Sequence, residues 1–238
     1  MTLLEIAVDS PAGLDNALRG GAQRIELCAA LDIGGLTPTA GLMARAAQAN
    51  VPVYAMIRPR AGNFVYDAGD VAVMEADIDA VRKAGLAGVV FGASREDGTL
   101  NSALLARLIK HSEGLGVTLH RAFDLVPDLE EALEQAVELG FERILSSGGL
   151  PKAMDGADAL HYLIKQAGER IVVMPGSGIR ASNVREILAC TGAREVHASG
   201  REKLSIAPDA KSLAFGFQTG TAMETNEAAV RALRDALS

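Results

Sequence analysis

Eight times along this chain, a short apolar segment with β-strand character is followed by a segment with helical periodicity. The predicted strands start about 21 to 35 residues apart. Such alternation implies parallel strands that are covered by helices. Eight units within about 200 residues match the number and size of a TIM barrel. We therefore predict an α/β fold with a TIM (β/α)8 barrel over residues 3–200 of a single domain, 1–238, and a C-terminal extension over 201–238.

The alternative fold is a doubly wound open sheet, which also alternates strands with helices. A dinucleotide-binding sheet carries Gly-x-Gly-x-x-Gly after its first strand, and this chain does not, so we favour the barrel and expect no NAD. The predicted strands cover 3–8, 24–28, 53–58, 88–91, 117–120, 143–146, 170–174 and 195–198. The predicted helices cover 11–20, 40–49, 72–84, 102–113, 129–139, 157–167, 182–189 (capped by Ser182) and 224–237.

The segment 201–213 is predicted to be a loop. The apolar stripe of the last helix could close the floor of the barrel or contact another subunit.

The composition narrows the classes of function. The formal net charge is −7 and the isoelectric point is near 5.2, whereas a nucleic-acid-binding face would need to be basic. No apolar run approaches the roughly 18 residues that a membrane span needs. The first residues lack the basic region of a signal peptide. We expect a cytoplasmic protein with neither a nucleic-acid nor a membrane partner.

Polar side chains fall on the inward face of five predicted strands, although a purely structural barrel interior is mostly Val, Ile and Leu. Four of these residues, Glu5, Glu26, His120 and His197, are candidates for general acid–base catalysis or for holding a divalent ion. The alternative is a closed ion network that only holds the barrel together, since unpaired buried charges cost several kcal/mol.

The candidate substrate-binding residues lie where strands end, which is where TIM barrels build their active sites. Arginines bind carboxylates or phosphates in a bidentate manner, and Gly-Ser turns present backbone N–H groups to phosphates. The expected ligand is therefore a small phosphorylated or carboxylated metabolite. The residues assigned to it are Arg58, Arg60, Arg121, Asp124, Ser147, Gly176, Gly178 and Ser199.

Lysines are absent from the predicted strands, and Schiff-base and pyridoxal phosphate chemistry both need a lysine amine in the site. We therefore expect no pyridoxal phosphate. Cys28 is the candidate metal ligand, because a thiolate completed by His120, His197 or Met56 can hold Cu(I). The alternative for Cys28 is a small buried side chain without a ligand.

Five motifs in this order resemble the CutC family of copper homeostasis proteins: Glu26-Leu27-Cys28, Gly34-Gly35-Leu36-Thr37-Pro38, Met56-Ile57-Arg58-Pro59-Arg60, His120-Arg121-Ala122-Phe123-Asp124 and Met174-Pro175-Gly176-Ser177-Gly178-Ile179. The resemblance covers roughly residues 3–200. It implies a TIM barrel, a cytoplasmic location, a homo-oligomer (dimer or tetramer) and a role in copper handling. Some family members carry a second cysteine in the first strand, where this chain has Ala7.

Three functions follow as hypotheses. The first is a copper-binding homeostasis protein, which the resemblance and Cys28 favour. The second is an enzyme that acts on a small phosphorylated or carboxylated substrate, which the Glu, His and Arg residues favour. The third is a barrel without chemistry that serves as an assembly module.

Overall fold

A computed structural model describes residues 2–204, 209–216 and 222–238. Eight parallel strands alternate with helices and form a nearly closed barrel, which confirms the predicted TIM-barrel fold. The barrel strands are β1 (Leu3–Val8), β2 (Arg24–Leu27), β3 (Val53–Met56), β4 (Gly88–Phe91), β5 (Gly116–Leu119), β6 (Arg143–Ser146), β7 (Val172–Pro175) and β8 (Glu195–Ala198). The helices around them are α1 (Pro11–Gly20), α2 (Ala40–Ala46), α3 (Ala68–Ala84), α4 (Ser102–His111), α5 (Leu129–Leu139), α6 (Ala157–Ala167) and α7 (Val184–Thr191).

The hydrogen-bonded ladder runs in the order β7-β6-β5-β4-β3-β2-β1-β8. The barrel closes where β7 lies beside β8, although these two strands share no ladder hydrogen bonds in the part of the chain that the structure describes. Gly176 allows the close approach at this seam, because a Cβ atom there would lie 2.4 Å from Leu145 Cδ1 and 3.4 Å from His197 Cβ.

Alternate residues of each strand face opposite sides, as the sequence predicts. Ile6, Leu27 and Val196 pack outward in the core between the strands and the helices. The residues of the other parity form the barrel interior, which includes a small apolar cluster of Cys28, Tyr54, Met56 and Val90.

The floor of the barrel is a buried ion network at the amino ends of the strands. Arg24 bonds the carboxylate of Glu5, and its Nη2 donates to Glu195 Oε2 at 2.5 Å. Arg143 donates from Nε to the same Glu195 oxygen at 2.8 Å and from Nη1 to Thr118 Oγ1 at 3.0 Å. Both guanidinium groups lie over the Tyr54 ring, 5.8 and 5.4 Å from its centroid. The closed ion network considered for the barrel interior is therefore present at its floor.

Helix boundaries differ from the prediction where capping residues were overlooked. Helix α3 begins at Ala68 instead of residue 72, because Asp67 and Asp70 form a reciprocal capping box. The Ser182 cap was wrong: α7 begins at Val184, and the Asn183 Oδ1 atom accepts the Arg180 backbone N–H at 2.8 Å.

The predicted loop over 201–213 was also wrong where the structure describes it. Strand β9 (Arg201–Lys203) pairs in antiparallel fashion with β10 (Met223–Thr225), so Lys203 lies on a strand outside the barrel. Helix α8 (Ala210–Ala214) follows, and residues 205–208 of the predicted loop lie outside the described residues.

The last helix, α9, spans Glu227–Ala236 and begins after the Asn226 cap. It packs against α1, α7 and β1 on the outside of the barrel, so it does not close the floor. Val230 approaches Gly20 so closely that a Cβ atom at Gly20 would lie 2.6 Å from it. No described helix is long and apolar enough to cross a membrane.

Candidate functional site

A cavity of about 880 Å³ opens at the carboxyl ends of the barrel strands. Its polar lining comes from the strand ends and the loops that follow them, as expected for a TIM barrel. The predicted site residues that line it are Glu26, Arg58, His120, Arg121, Asp124, Gly178, His197 and Ser199. Apolar side chains cover the rest of the wall, among them Ile33, Phe64 and Leu233.

Glu5 contacts His197, which lines the cavity, but Glu5 does not itself line it. They lie opposite each other in the register of β1 and β8, and His197 Nδ1 lies 2.8 Å from Glu5 Oε1. The second oxygen of Glu5 is bonded to Arg24, and only 2% of the Glu5 surface is exposed. Burial alone would raise the Glu5 pKa, but Arg24 and His197 outweigh it and lower that pKa to about 2. Glu5 is therefore a carboxylate at neutral pH.

Glu26 has a different environment from Glu5, although both are buried carboxyl groups. The Cys28 thiol donates to Glu26 Oε2 at 3.6 Å, and His197 Nε2 lies 3.8 Å from the same oxygen. Oε1 of Glu26 is buried and has no hydrogen-bond partner among the described residues. Burial raises the Glu26 pKa, although the charge of His197 opposes the shift. Burial thus stabilises the protonated form of Glu26, which is the form that a general acid needs.

His197 connects the two carboxyl groups. Burial disfavours its charged form, but the charges of Glu26 and Glu5 raise its pKa above the ordinary value. Glu5 accepts from Nδ1, which directs Nε2 toward Glu26. The site therefore contains an ionised Glu5, a His197 whose charged form is stabilised, and a Glu26 carboxyl group with one oxygen that no described residue contacts by a hydrogen bond.

His120 lies after β5 and is 3% exposed. Its Nδ1 accepts the Ala122 backbone N–H at 3.1 Å, so the proton of the neutral ring is on Nε2. Nε2 is buried and has no partner within the described ranges. Burial lowers the pKa of His120 to about 3. The ring packs on Phe64, with 4.7 Å between the centroids.

Asp124 joins the ends of β5 and β6. Its carboxylate accepts hydrogen bonds from Ser146 Oγ at 2.6 Å, from Ser147 N at 2.9 Å and from Arg121 Nε at 2.7 Å. Arg121 also donates from Nη2 to Ser147 Oγ at 2.6 Å. The side chain of Arg121 remains 38% exposed at the rim of the cavity. Asp124 and Ser147 therefore hold Arg121 in place, and its remaining Nη1 group is available to a ligand.

Arg58 and Arg60 were both predicted to bind the substrate, but most of their N–H groups form hydrogen bonds within the protein. Arg58 donates to the carbonyl oxygens of Ile33, Gly35 and Gly62, at 2.8, 3.0 and 3.0 Å. Only its buried Nε atom lacks a partner among the residues described. Arg60 bonds Asp70 and the carbonyl group of Val65, and it does not line the cavity.

The predicted Gly-Ser turns contribute unequally to the cavity. Gly178 lines it with a left-handed backbone (φ +73°), and Ser199 lines it after β8. Gly176 and Ser147 are buried outside the lining, as is Cys28.

Two arginines at the cavity were missed in the sequence. Arg180 follows the Gly178 turn, is exposed, and makes no side-chain hydrogen bond with the described residues. Arg201 donates to Asp32 at 2.8 Å and to the Met223 carbonyl group at 2.9 Å. Position in a segment that follows a strand end was the only sequence signal for either residue.

Two groups of side chains contain donor atoms for a metal ion. Ligand atoms of Glu5, Glu26 and His197 lie within 4.8 Å of one another, and such oxygen and nitrogen donors suit a hard or borderline divalent ion. Glu5, however, is already neutralised by Arg24 and His197.

Cu(I) would need the thiolate of Cys28. Burial and the neighbouring Glu26 raise the pKa of that thiol well above its ordinary value. Met56 packs beside Cys28 and is the second soft donor in this cluster.

The chain is similar to proteins of one family over most of its length. The CutC family profile matches residues 2–202. A CutC family protein of Caulobacter vibrioides is 54% identical over 229 residues, covering 96% of this chain and 94% of the relative. A CutC family protein of Sinorhizobium medicae is 54% identical over 235 residues, covering 99% and 96%.

A solved structure of a CutC protein has the same fold as this chain. The CutC protein of Streptococcus agalactiae, whose name provisionally assigns it to copper homeostasis, is 31% identical to this chain. The two structures agree with a TM-score of 0.79 over 83% of this chain and 98% of the other. The chain therefore belongs to the CutC family.

Proposed function

We propose that the protein is an enzyme that binds a small phosphorylated or carboxylated metabolite in the barrel mouth and transfers protons with Glu26 and His197. The observation that carries the proposal is the buried Oε1 atom of Glu26, which has no hydrogen-bond partner among the described residues although the Glu26 residue lines the cavity. A buried acceptor without a partner costs roughly 1–3 kcal/mol or more, and a ligand hydroxyl group would remove that cost.

The anionic part of the substrate is assigned to the rim. Arg121 and Arg180 both line the cavity and both carry N–H groups that the described residues leave unused. Arg121 is held by Asp124 and Ser147, so it loses little conformational freedom when it binds an anion. Arg121 thus stays an expected anion ligand, and Arg180 takes the place of Arg58 and Arg60.

Glu5 and Glu26 have different roles because their environments shift their pKa values in opposite directions. Glu5 stays ionised and orients His197, while Glu26 is the group that gains and loses a proton. Two carboxyl groups whose environments move their pKa values apart are a common basis for acid–base catalysis.

A ligand screen tests this proposal. Sugar phosphates and hydroxycarboxylic acids are screened by thermal shift, and hits are measured by isothermal titration calorimetry. We expect Arg180→Gln to weaken a hit by about tenfold or more, since hydrogen bonds to charged groups contribute about 1.5–3 kcal/mol. Arg194→Gln is the matched control, because Arg194 is exposed at the opposite end of the barrel. A screen without any hit, or equal losses in both variants, would contradict the proposal.

Copper binding is the second candidate function. It is supported by the adjacent soft donors Cys28 and Met56 and by the provisional name of the Streptococcus agalactiae relative. It requires Cys28 to lose the proton that it donates to Glu26. The test is a Cu(I) titration of reduced protein against a competing chelator, with Cys28→Ala and Cys190→Ala compared. Tight binding that only the Cys28 variant loses would support copper, and equal affinity in both would exclude this site.

The cytoplasmic location and the dimer or tetramer are further proposals. Two exposed apolar side chains beside the cavity mouth, Leu125 and Leu150, offer a contact for a second copy of the chain. Light scattering after size-exclusion chromatography measures the oligomeric state, and a monomer at micromolar concentration would contradict it.

A further inference from the structure

The imidazole of His120 is built to donate a hydrogen bond that no described residue accepts. Its Nδ1 is fixed as an acceptor by Ala122 N, and its Nε2–H is buried in the cavity wall. Leaving such a donor unpaired is costly, and native proteins keep few of them. Its ring position is set by packing on Phe64. The donor is therefore held ready for an oxygen atom of a ligand.

The order of the strands places this donor across the cavity from the proton-transfer groups. Glu5, Glu26 and His197 belong to three neighbouring strands centred on β1, namely β1, β2 and β8. His120 follows β5, which is four strands away from β1 along the ladder β1-β2-β3-β4-β5. In a barrel of eight strands that is the opposite wall. A ligand between the walls meets Glu26 on one side and the Nε2–H group on the other.

A second buried donor without a partner among the described residues lies next to the Phe64 ring that supports His120. Nε of Arg58 is buried without a partner in the described chain, and only 6% of the Arg58 surface is exposed. The Arg58 guanidinium lies over the Phe64 ring at 5.1 Å, and Phe64 is the ring that supports His120. Two N–H groups near one apolar ring form a polarising site for an oxygen that develops negative charge.

We infer that the substrate is an α-hydroxy aldehyde or ketone whose carbonyl oxygen accepts a hydrogen bond from the N–H group of His120. Glu26 removes a proton from the hydroxyl-bearing carbon and returns it to that carbon or to the carbonyl carbon. The inference rests on the proposed function and names its reaction class as isomerisation or epimerisation. His120 touches the reacting oxygen, and Glu26 touches the reacting carbon.

The step balances without a co-reactant. Glu26 takes the proton from the carbon that carries the hydroxyl group. The electron pair of that C–H bond forms a carbon–carbon double bond, and the carbonyl electrons move onto oxygen, where the N–H group of His120 holds the enediolate. For the isomer, Glu26 returns the proton to the former carbonyl carbon, and the hydroxyl proton moves to the oxygen that His120 holds, so that the carbonyl group ends on the neighbouring carbon. For the epimer, the enediolate turns in the cavity, and Glu26 returns the proton to the opposite face of the same carbon. Glu26 ends each cycle unprotonated.

The experiment follows carbon-bound hydrogen by proton NMR in D2O with three probes, dihydroxyacetone phosphate, ribose 5-phosphate and glyceraldehyde 3-phosphate. We expect at least one probe to lose its C–H signal with the wild-type protein and not with Glu26→Gln. His120→Asn keeps an acceptor for Ala122 N, but its shorter amide does not place a donor at the Nε2 position, so we expect exchange to slow by about a hundredfold. His120→Gln places an amide N–H group near the former Nε2 position and is expected to restore part of the rate.

The controls separate the possible failures. Arg194→Gln should exchange the probe as fast as the wild-type protein does. Binding of a probe by calorimetry without any exchange would overturn the inference and leave the proposed function standing. No binding of any probe would overturn the inference, while hits among other anions in the ligand screen would still support the proposed function. Exchange that His120→Asn leaves unchanged would remove His120 from the reaction.

Discussion

His120 should stay uncharged in the folded protein well below neutral pH. Its pKa is lowered from 6.5 to about 3, so the unfolded chain binds a proton below pH 6.5 that the folded chain does not. The contribution to stability is fully present above pH 6.5 and is lost as the pH falls toward 3. Each pKa unit corresponds to about 1.4 kcal/mol, so about 2 kcal/mol should be lost between pH 8 and pH 5.

The perturbation that isolates this effect is His120→Asn. Urea unfolding is measured for the wild-type protein and the variant at pH 8 and at pH 5. Glu26 and His197 also titrate with shifted pKa values, but they do so in both proteins and cancel in the difference. We expect the wild-type protein to lose about 2 kcal/mol more than the variant. Parallel losses would refute a buried, neutral His120, as would an imidazole nitrogen-15 signal from His120 that titrates above pH 5.

Three further predictions concern other parts of the barrel. Glu5→Gln should cost about 3–5 kcal/mol in urea unfolding, because it leaves a buried guanidinium and imidazole without their shared carboxylate; a loss below 1 kcal/mol would contradict the network. Gly176→Ala should cost about 1–3 kcal/mol, since its Cβ atom would lie 2.4 Å from a leucine methyl group, while Gly41→Ala, with open space in a helix, should be neutral or stabilising. Native protein should react with a disulfide reagent at exposed Cys190 and not at buried Cys28, and rapid modification of both thiols would show that the barrel opens.

The period of two along the strands was enough to predict which side chains point into the barrel. Once Ile6 and Leu27 face the helices, Glu5 and Glu26 must face the interior, where the structure has them. Arg24 shares the inward parity of Glu26 and was overlooked because it begins its strand, far from the end where active sites are expected. The same signal would have predicted the floor network.

The arginine contacts could not be predicted in this way. Arg58 and Arg60 have the charge and the position for an anion site, but their N–H groups bond to loop carbonyls whose path depends on the folded chain. The pairing of β9 with β10 joins segments of three residues across a long connection, and three residues are too few for a pattern.

Glu5 connects the floor network of the barrel to the cavity, and this limits which substitutions the position can accept. One oxygen binds Arg24 in the floor network and the other binds His197 in the cavity. A substitution there would change the cohesion of the barrel and the orientation of the imidazole at once. Selection for tolerance to heat and selection for a new reaction would therefore compete at this single position, whereas Glu26 lies outside the floor network and is free to vary with the chemistry.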